Sequence, residues 1–278
     1  MKTIELNNGT AMPVIGLGTF KSQDPEECEK SVLDAIEIGY RMIDTAQSYG
    51  NEEFVGRALA KSPVPRQEIF LTTKVWFGNY ENARASVEES MKRLGTDYLD
   101  LVLLHWPFGN TYSAYRALEK MLKEGMVRAI GVSNFNPDRL IDLIQYNEIV
   151  PAVDQVETNL LCQQLVQHEW MAKYGVVHEG YSPFGRGRSD EVFDDPDLNA
   201  ISRKYGKTVR QVTLRYQCQS DVVTIPKSTH YERIKENFDI FDFELTDGEM
   251  AKIRALDKQM PLTGTPEKPE TVLRSLTW

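Results

Sequence analysis

Leu99-Asp100-Leu101-Val102-Leu103-Leu104-His105, the helical stretch Ala114–Glu124, Gly125, and then Val127-Arg128-Ala129-Ile130-Gly131-Val132 decide the architecture of this chain. The two flanking runs are short and almost continuously apolar, as a strand buried on both faces has to be. The stretch between them has apolar residues at helical spacing and stops at a glycine, which takes the left-handed conformation that ends a helix at no steric cost. A strand, a helix and a second strand in this order make a parallel βαβ unit.

The same alternation extends outward in both directions. Strand-like runs are Val14–Gly18, Arg41–Asp44, Ile69–Lys74, Leu99–His105, Val127–Val132, Ala152–Val156, Val176–Tyr181 and Val222–Ile225. Helical periods fill the gaps: Pro25–Ile38, Glu52–Ala60, Ala83–Leu94, Ala114–Glu124, Pro137–Tyr146, Gln164–Tyr174, Val209–Gln219 and Glu232–Asn237. Asp24-Pro25 and Asn136-Pro137 read as a capping side chain followed by proline at the first helical position, while Gly39, Gly95, Gly125 and Gly175 read as stops. Eight strand–helix units without a Pro-, Gly- or Ser-rich linker predict one domain over residues 1–278, of α/β class, built as a (β/α)8 TIM barrel. An open doubly wound sheet is the rival, but its dinucleotide fingerprint is missing: Gly16-Leu17-Gly18 is the only such pair after a strand and lacks the third glycine. The start of the chain, turning at Asn7-Asn8-Gly9, reads as a β-hairpin; Asp197–Tyr205 and Thr246–Asp257 read as two additional helices. The Pro- and Thr-rich tail from Met260 is expected to form an extended lid or wrap.

Composition narrows the function. Of 278 residues 41% are hydrophobic and 26% charged, and the net charge of -9 argues against nucleic acid, whose phosphates select clustered Lys and Arg. Cys28, Cys162 and Cys218 are odd in number and widely spaced, which fits neither a disulfide framework nor a zinc site and suits a reducing cytoplasm. His105, His168, His178 and His230 lack HxH or HExxH spacing, so no metal is expected. No apolar run approaches the roughly 20 residues that span a bilayer, so no membrane association is expected. A monomer or weak homodimer acting on a small molecule is the expected state.

Barrel enzymes of this type place their chemistry at the C-terminal ends of strands. Polar residues leave the apolar runs at Asp44, Lys74 and His105, with Tyr49 in the loop after the second run. Each alone has a bland explanation: an aspartate in a turn, a satisfied structural histidine. Four together at the strand exits of one barrel suit a reaction that needs a proton donor and electrostatic support at a developing oxyanion. A tyrosine, with a pKa of about 10, is a sluggish donor alone, and an adjacent ammonium is expected to lower that value.

Gly39–Ala46 running into Tyr49-Gly50-Asn51-Glu52 resembles the aldo-keto reductase family. So, in family order, do Leu71–Trp76, Asp97–Leu101 through His105-Trp106-Pro107, Arg128–Phe135, and Ile225–Thr229 leading to Arg233, Glu236 and Asn237. The resemblance covers essentially the whole chain and is similar to the bacterial diketogluconate and glyoxal reductase subgroup. It implies NADPH-dependent reduction of aldehydes or ketones, with Tyr49 as acid, Lys74 beside it, Asp44 holding Lys74 and His105 orienting the carbonyl. It further implies Ser133, Asn134 and Gln155 at the nicotinamide carboxamide, Tyr181 stacked on the ring, and Ser182-Pro183-Phe184-Gly185 under the pyrophosphate. Lys227, Ser228, Thr229 and Arg233 would gather at a ribose 2′-phosphate, and Asn237 at the adenine. Phe20, Tyr49, Trp76, His105, Trp106 and the tail's Trp278 are expected to line an apolar substrate pocket with little charge, and no further cation is evident near Tyr49 and His105.

The chain departs from the family pattern in places. Asp154-Gln155-Val156-Glu157-Thr158-Asn159 stands where Asn-Gln, Glu and His-Pro are usual. Phe20 replaces a frequent Trp, Phe184 a Leu, and Gly180 an Ala, the last being expected to loosen its strand. A nucleotide-binding barrel with little turnover, serving as a regulatory or structural subunit, is the alternative function. An isomerase or glycosidase would want a carboxylate pair or a glycine-fed phosphate loop, which the sequence does not offer.

Overall fold

The computed structural model describes residues 2–187, 190–263, 265–275 and 277. The eight apolar runs form one parallel sheet: β3 (Leu17–Gly18), β4 (Met42–Asp44), β5 (Phe70–Val75), β6 (Leu99–Leu104), β7 (Val127–Ser133), β8 (Val153–Glu157), β9 (Val177–Tyr181) and β10 (Val222–Thr224), paired in chain order. The first run shortens to two residues because Val14–Gly16 turns to the far edge, where Ile15 pairs with Thr224. Gly16 donates its N–H to Thr224 O at 3.0 Å and Thr224 N–H returns to Val14 O at 3.0 Å, which closes the sheet into a barrel.

Alternation of side chains divides the apolar mass in two. Met42, Phe70, Leu101, Leu103, Ala129, Val153, Val177 and Val223 fill the barrel, whereas Val102, Leu104, Ile130 and Val132 point outward into the helical layer. Helices α1 (Pro25–Ile38), α2 (Glu52–Lys61), α3 (Ala83–Leu94), α4 (Thr111–Lys123), α5 (Pro137–Gln145) and α6 (Leu165–Lys173) follow β3 to β8, and α8 (Val209–Gln219) and α9 (Tyr231–Phe238) follow β9 and β10. The hairpin of β1 (Thr3–Glu5) and β2 (Ala11–Pro13) lies across the N-terminal end of the barrel. Its Leu6 and Met12 join the interior cluster, and Asn7 and Asn8 donate to Pro151 O and Arg128 O at the starts of β8 and β7.

The two expected extra helices are α7 (Pro196–Tyr205) and α10 (Asp247–Arg254). Asp24 caps α1 by accepting from Glu27 N–H at 2.8 Å. Asn136 does not cap α5 through its side chain, which instead donates to Glu267 of the tail at 3.2 Å. The tail is not wholly extended either, because it folds into α11 (Pro269–Ser275). Before that turn, Leu262 and Thr263 donate their N–H groups to the Glu157 carboxylate, each at 2.8 Å, so the tail is pinned to the mouth of the barrel. Trp278 lies outside the described residues. Gly180 does not loosen β9: a Cβ there would sit 2.9 Å from Thr158 Cβ, so the missing methyl makes room for the threonine at the altered loop. Among the described residues no helix is long and apolar enough to cross a membrane.

Candidate active site

Asp44 is the last residue of β4, Lys74 the penultimate residue of β5, and His105 the first after β6. Tyr49 closes a single 3-10 turn, Gln47–Tyr49, that follows β4. Residues of the same motif brace this turn. Asn51 donates to Thr19 O at 2.9 Å and accepts from Thr45 Oγ1 at 2.7 Å, while the buried Glu52 accepts from Thr73 Oγ1 at 2.6 Å and from Arg93 Nε at 2.8 Å. The loop that carries Tyr49 is thereby tied to β5 and α3.

Lys74 has no exposed surface, so its ammonium must be satisfied from within. It donates to Asp44 Oδ1 at 2.6 Å, Asp44 Oδ2 at 2.7 Å and Thr45 O at 3.0 Å, and lies 3.3 Å from Tyr49 Oη. Asp44 raises the Lys74 pKa against the opposing effect of burial, and the lysine stays charged at neutral pH. The sequence-based expectation for Tyr49 is corrected in sign. Burial raises its pKa above 10, and Lys74 and Arg186 only oppose that rise, because a phenolate out of water loses more than one shared ammonium returns. His105 is held neutral: burial and the Lys74 charge push its pKa well below 6.5. The Tyr49 and His105 rings stand edge to face at 5.7 Å, and Ser48 Oγ lies 3.4 Å from His105 Nδ1.

The residues expected at a nicotinamide form one connected group beside this cluster. Tyr181 Oη donates to Asn134 Oδ1 at 2.8 Å, Asn134 Nδ2 donates to His105 O and Ser133 Oγ at 3.0 Å, and Ser133 Oγ donates to Gln155 O at 2.8 Å. Asn134 and Ser182 both adopt left-handed backbone, φ 63° and 54°, where their chains leave β7 and β9. A cavity of about 930 Å³ contains Tyr49, His105, Ser133, Asn134, Gln155, Tyr181, Ser182 and Phe184 in its wall, together with Phe20 beside Tyr49 and Trp76 and Trp106 beside His105. A second, of about 380 Å³, is walled by Arg210, Ser228, Thr229, Arg233 and Asn237. Phe184 and Lys227 belong to both, so the two cavities abut; buried Gly185 follows Phe184 in the same loop. Among the described residues, none of Lys227, Arg210 and Arg233 lies within salt-bridge distance of a carboxylate, which leaves three cations facing the smaller cavity.

Several neighbours were not expected from the sequence. Gln155 places its amide nitrogen between two carboxylates, Asp44 Oδ2 at 2.9 Å and Glu179 Oε2 at 2.8 Å. Glu179 sits mid-strand in β9, and only its inward register, alternate with His178, could have drawn notice. Lys21 and Arg186 line the larger cavity, so the expectation of a pocket without further cations is overturned. Arg186 lies 4.7 Å over the Phe20 ring, a position that follows from its left-handed backbone, φ 55°. Arg210, the second residue of α8, stacks over Phe184 and Phe193, and nothing in its sequence context points to the site. Thr263 of the tail reaches Tyr181 Oη at 3.3 Å. Among the described residues there is no cluster of groups able to hold a metal.

The barrel, the buried lysine–aspartate pair beneath a tyrosine, and the cation-lined trough leading away from it agree with what comparison finds: the model of the Aldo/keto reductase family matches residues 14–258, and the chain belongs to that family of oxidoreductases. It is 45% identical over 269 residues to the glyoxal reductase of Bacillus subtilis (strain 168), a match spanning 96% of each chain. The crystal structure of an aldo-keto reductase from a Medee basin deep-sea metagenome library superposes with a TM-score of 0.93 at 41% identity, covering 95% of this chain and 98% of the other. The Bombyx mori aldo-keto reductase, solved in complex with NADP, gives a TM-score of 0.89 at 35% identity over 95% of both chains.

Proposed function

We propose that this protein uses NADPH to reduce small carbonyl compounds (aldehydes, 2-oxoaldehydes, diketones or keto sugars) to alcohols, with Tyr49 as the acid. The observation that carries the reading is the convergence of Tyr49 and neutral His105 on one cavity, with the Lys74 ammonium 3.3 Å behind the phenol. Abutting cavities suit an elongated dinucleotide. The larger offers amides, hydroxyls and an aromatic face, and the smaller offers Lys227, Arg210, Arg233 and the Ser228 hydroxyl, a donor set for a phosphate monoester. Ser133, Asn134, Gln155 and Tyr181 would hold the nicotinamide, Ser182, Phe184 and Gly185 the pyrophosphate, Lys227, Ser228, Thr229 and Arg233 the 2′-phosphate, and Asn237 the adenine. The bound cofactor supplies the hydride.

The side chains supply the rest. His105, being neutral, donates one ring N–H to the carbonyl oxygen and orients it. As negative charge grows on that oxygen, Tyr49 gives up its proton, and the raised phenol pKa is no obstacle because an alkoxide is a far stronger base than a phenolate. The phenolate left behind is stabilised by Lys74, which donates to it at the moment the charge arrives and needs no reorganisation, since Asp44 and Thr45 already hold the ammonium. Trp76, Trp106 and Phe20 keep water away, and a dry site strengthens each of these interactions. Three free cysteines accord with a cytoplasmic setting. The test is a panel of aldehydes, 2-oxoaldehydes, diketones and keto sugars assayed by loss of NADPH absorbance. Turnover of at least one class is expected; failure of every member overturns the reading and favours the regulatory-subunit alternative.

A further inference from the structure

Two carboxylates and one ammonium meet at the floor of the site. Asp44 is matched by Lys74, but Glu179, with no exposed surface, has no cation of its own among the described residues. Its Oε2 accepts from Gln155 Nε2, whose second hydrogen goes to Asp44, and its Oε1 has no hydrogen-bond partner among the described residues. The groups facing it are Gln155 from β8, Val223 from β10, Asp44 from β4 and Lys74 from β5; His178 on its own strand points away. If both carboxyl groups were ionised, this buried cluster would hold two negative charges against one positive, with the carboxylates sharing a single amide nitrogen. Like charges that close disfavour joint ionisation, as in carboxylate dyads that share one proton.

We propose that Glu179 is a positioning residue for carbonyl reduction: held as the neutral acid, it fixes Gln155 against Asp44 and leaves Lys74 free to serve Tyr49. The inference rests on the reading of Tyr49 as the acid. Burial and the Asp44 charge push the Glu179 pKa up to about 8, so its proton is present at neutral pH and is lost just above it. Once Glu179 ionises, Lys74 must answer two carboxylates, the phenolate formed in the reaction loses part of its support, and reduction slows. Tyr49 and His105 do not titrate in this window, since one is shifted above 10 and the other well below 6.5.

The kcat for reduction of a carbonyl substrate at saturating NADPH is to be measured from pH 6.5 to 9.5 in the wild type and in Glu179→Gln, which mimics the neutral acid. The expected result is a wild-type kcat that falls severalfold between pH 7 and 9 and a variant whose ratio across the same interval stays within about twofold. Parallel profiles, or a merely structural loss equal at every pH, overturn the proposal. A second readout needs no turnover: in the infrared difference between wild type and Glu179→Gln, where the buried carboxyl group of Asp154 cancels, the carbonyl stretch of a protonated carboxyl group should be present at pH 6 and disappear near pH 8. Its absence from that difference at pH 6 also overturns the proposal. Should no carbonyl compound be reduced by either protein, the function reading fails, and the infrared titration still decides whether Glu179 carries the proton.

Discussion

Replacing Tyr49 with phenylalanine removes one oxygen from a site whose remaining bonds survive the change. Lys74 keeps both Asp44 oxygens and Thr45 O, so its ammonium stays satisfied, and the ring keeps its packing against Phe20 at 5.0 Å and His105 at 5.7 Å. The cost in stability is therefore that of one ordinary hydrogen bond, about 1 kcal/mol, rather than the penalty for a stranded charge. Lys74→Met, by contrast, would leave Asp44 buried and unpaired, at a cost of about 3 to 5 kcal/mol, and would confound catalysis with folding. An acid catalyst contributes about 10² to 10⁴ in rate, which is roughly 2.7 to 5.5 kcal/mol of barrier at 1.36 kcal/mol per tenfold. Expected for Tyr49→Phe are a kcat lowered by that factor in the NADPH assay, a urea midpoint near the wild type, and an NADPH dissociation constant within about threefold by fluorescence quenching. A variant that keeps more than a tenth of the wild-type kcat refutes the assignment of Tyr49 as the acid.

Lys227→Ala should weaken NADPH by about ten- to a hundredfold and NADH far less, since a charge-assisted phosphate contact contributes about 1.5 to 3 kcal/mol; equal losses by calorimetry would detach Lys227 from the 2′-phosphate. Arg186→Ala should lower kcat/KM for pyruvate more than for methylglyoxal, because it removes a cation from a cavity whose wall also holds Trp76 and Trp106, against which a carboxylate is costly to bury; equal losses for the two substrates would detach Arg186 from the substrate. Gly180→Ala should lower unfolding free energy by about 1 to 3 kcal/mol in urea denaturation, because the new methyl meets Thr158 at 2.9 Å inside a packed wall; an unchanged midpoint would show that the threonine yields freely.

What the sequence made legible is what depends on period and position along the chain. Each of the eight apolar runs became a strand, because continuous burial on both faces admits little else, and the residues that end those runs had to emerge at one rim. That is why Asp44, Lys74 and His105 could be named before any coordinate. The losses lie at run ends and in the tail. Val14–Gly16 reads as strand but spends its hydrogen bonds on closing the barrel with Thr224. The tail's course depends on Glu157, which is more than a hundred residues away in sequence and collects the Leu262 and Thr263 amides.

The contacts that escaped sequence reasoning share a cause: they are closed through space by residues whose local context is ordinary. Glu179 is a carboxylate in the middle of a strand, and its meaning comes only from Gln155 and Asp44 meeting it across the barrel. Arg186 is an exposed arginine whose place in the cavity wall, over Phe20, shows only in the structure. The same logic reverses the sign for Tyr49, where adjacency to Lys74 is legible but the depth of burial that outweighs it is not. Thr158 and Gly180 look like two unrelated departures from the family pattern, yet in the structure one vacates the space the other occupies. A substitution read singly invites a guess about function. A pair that interlocks is first a packing solution, and the altered loop after β8 has to be weighed as such before any part of substrate choice is assigned to it.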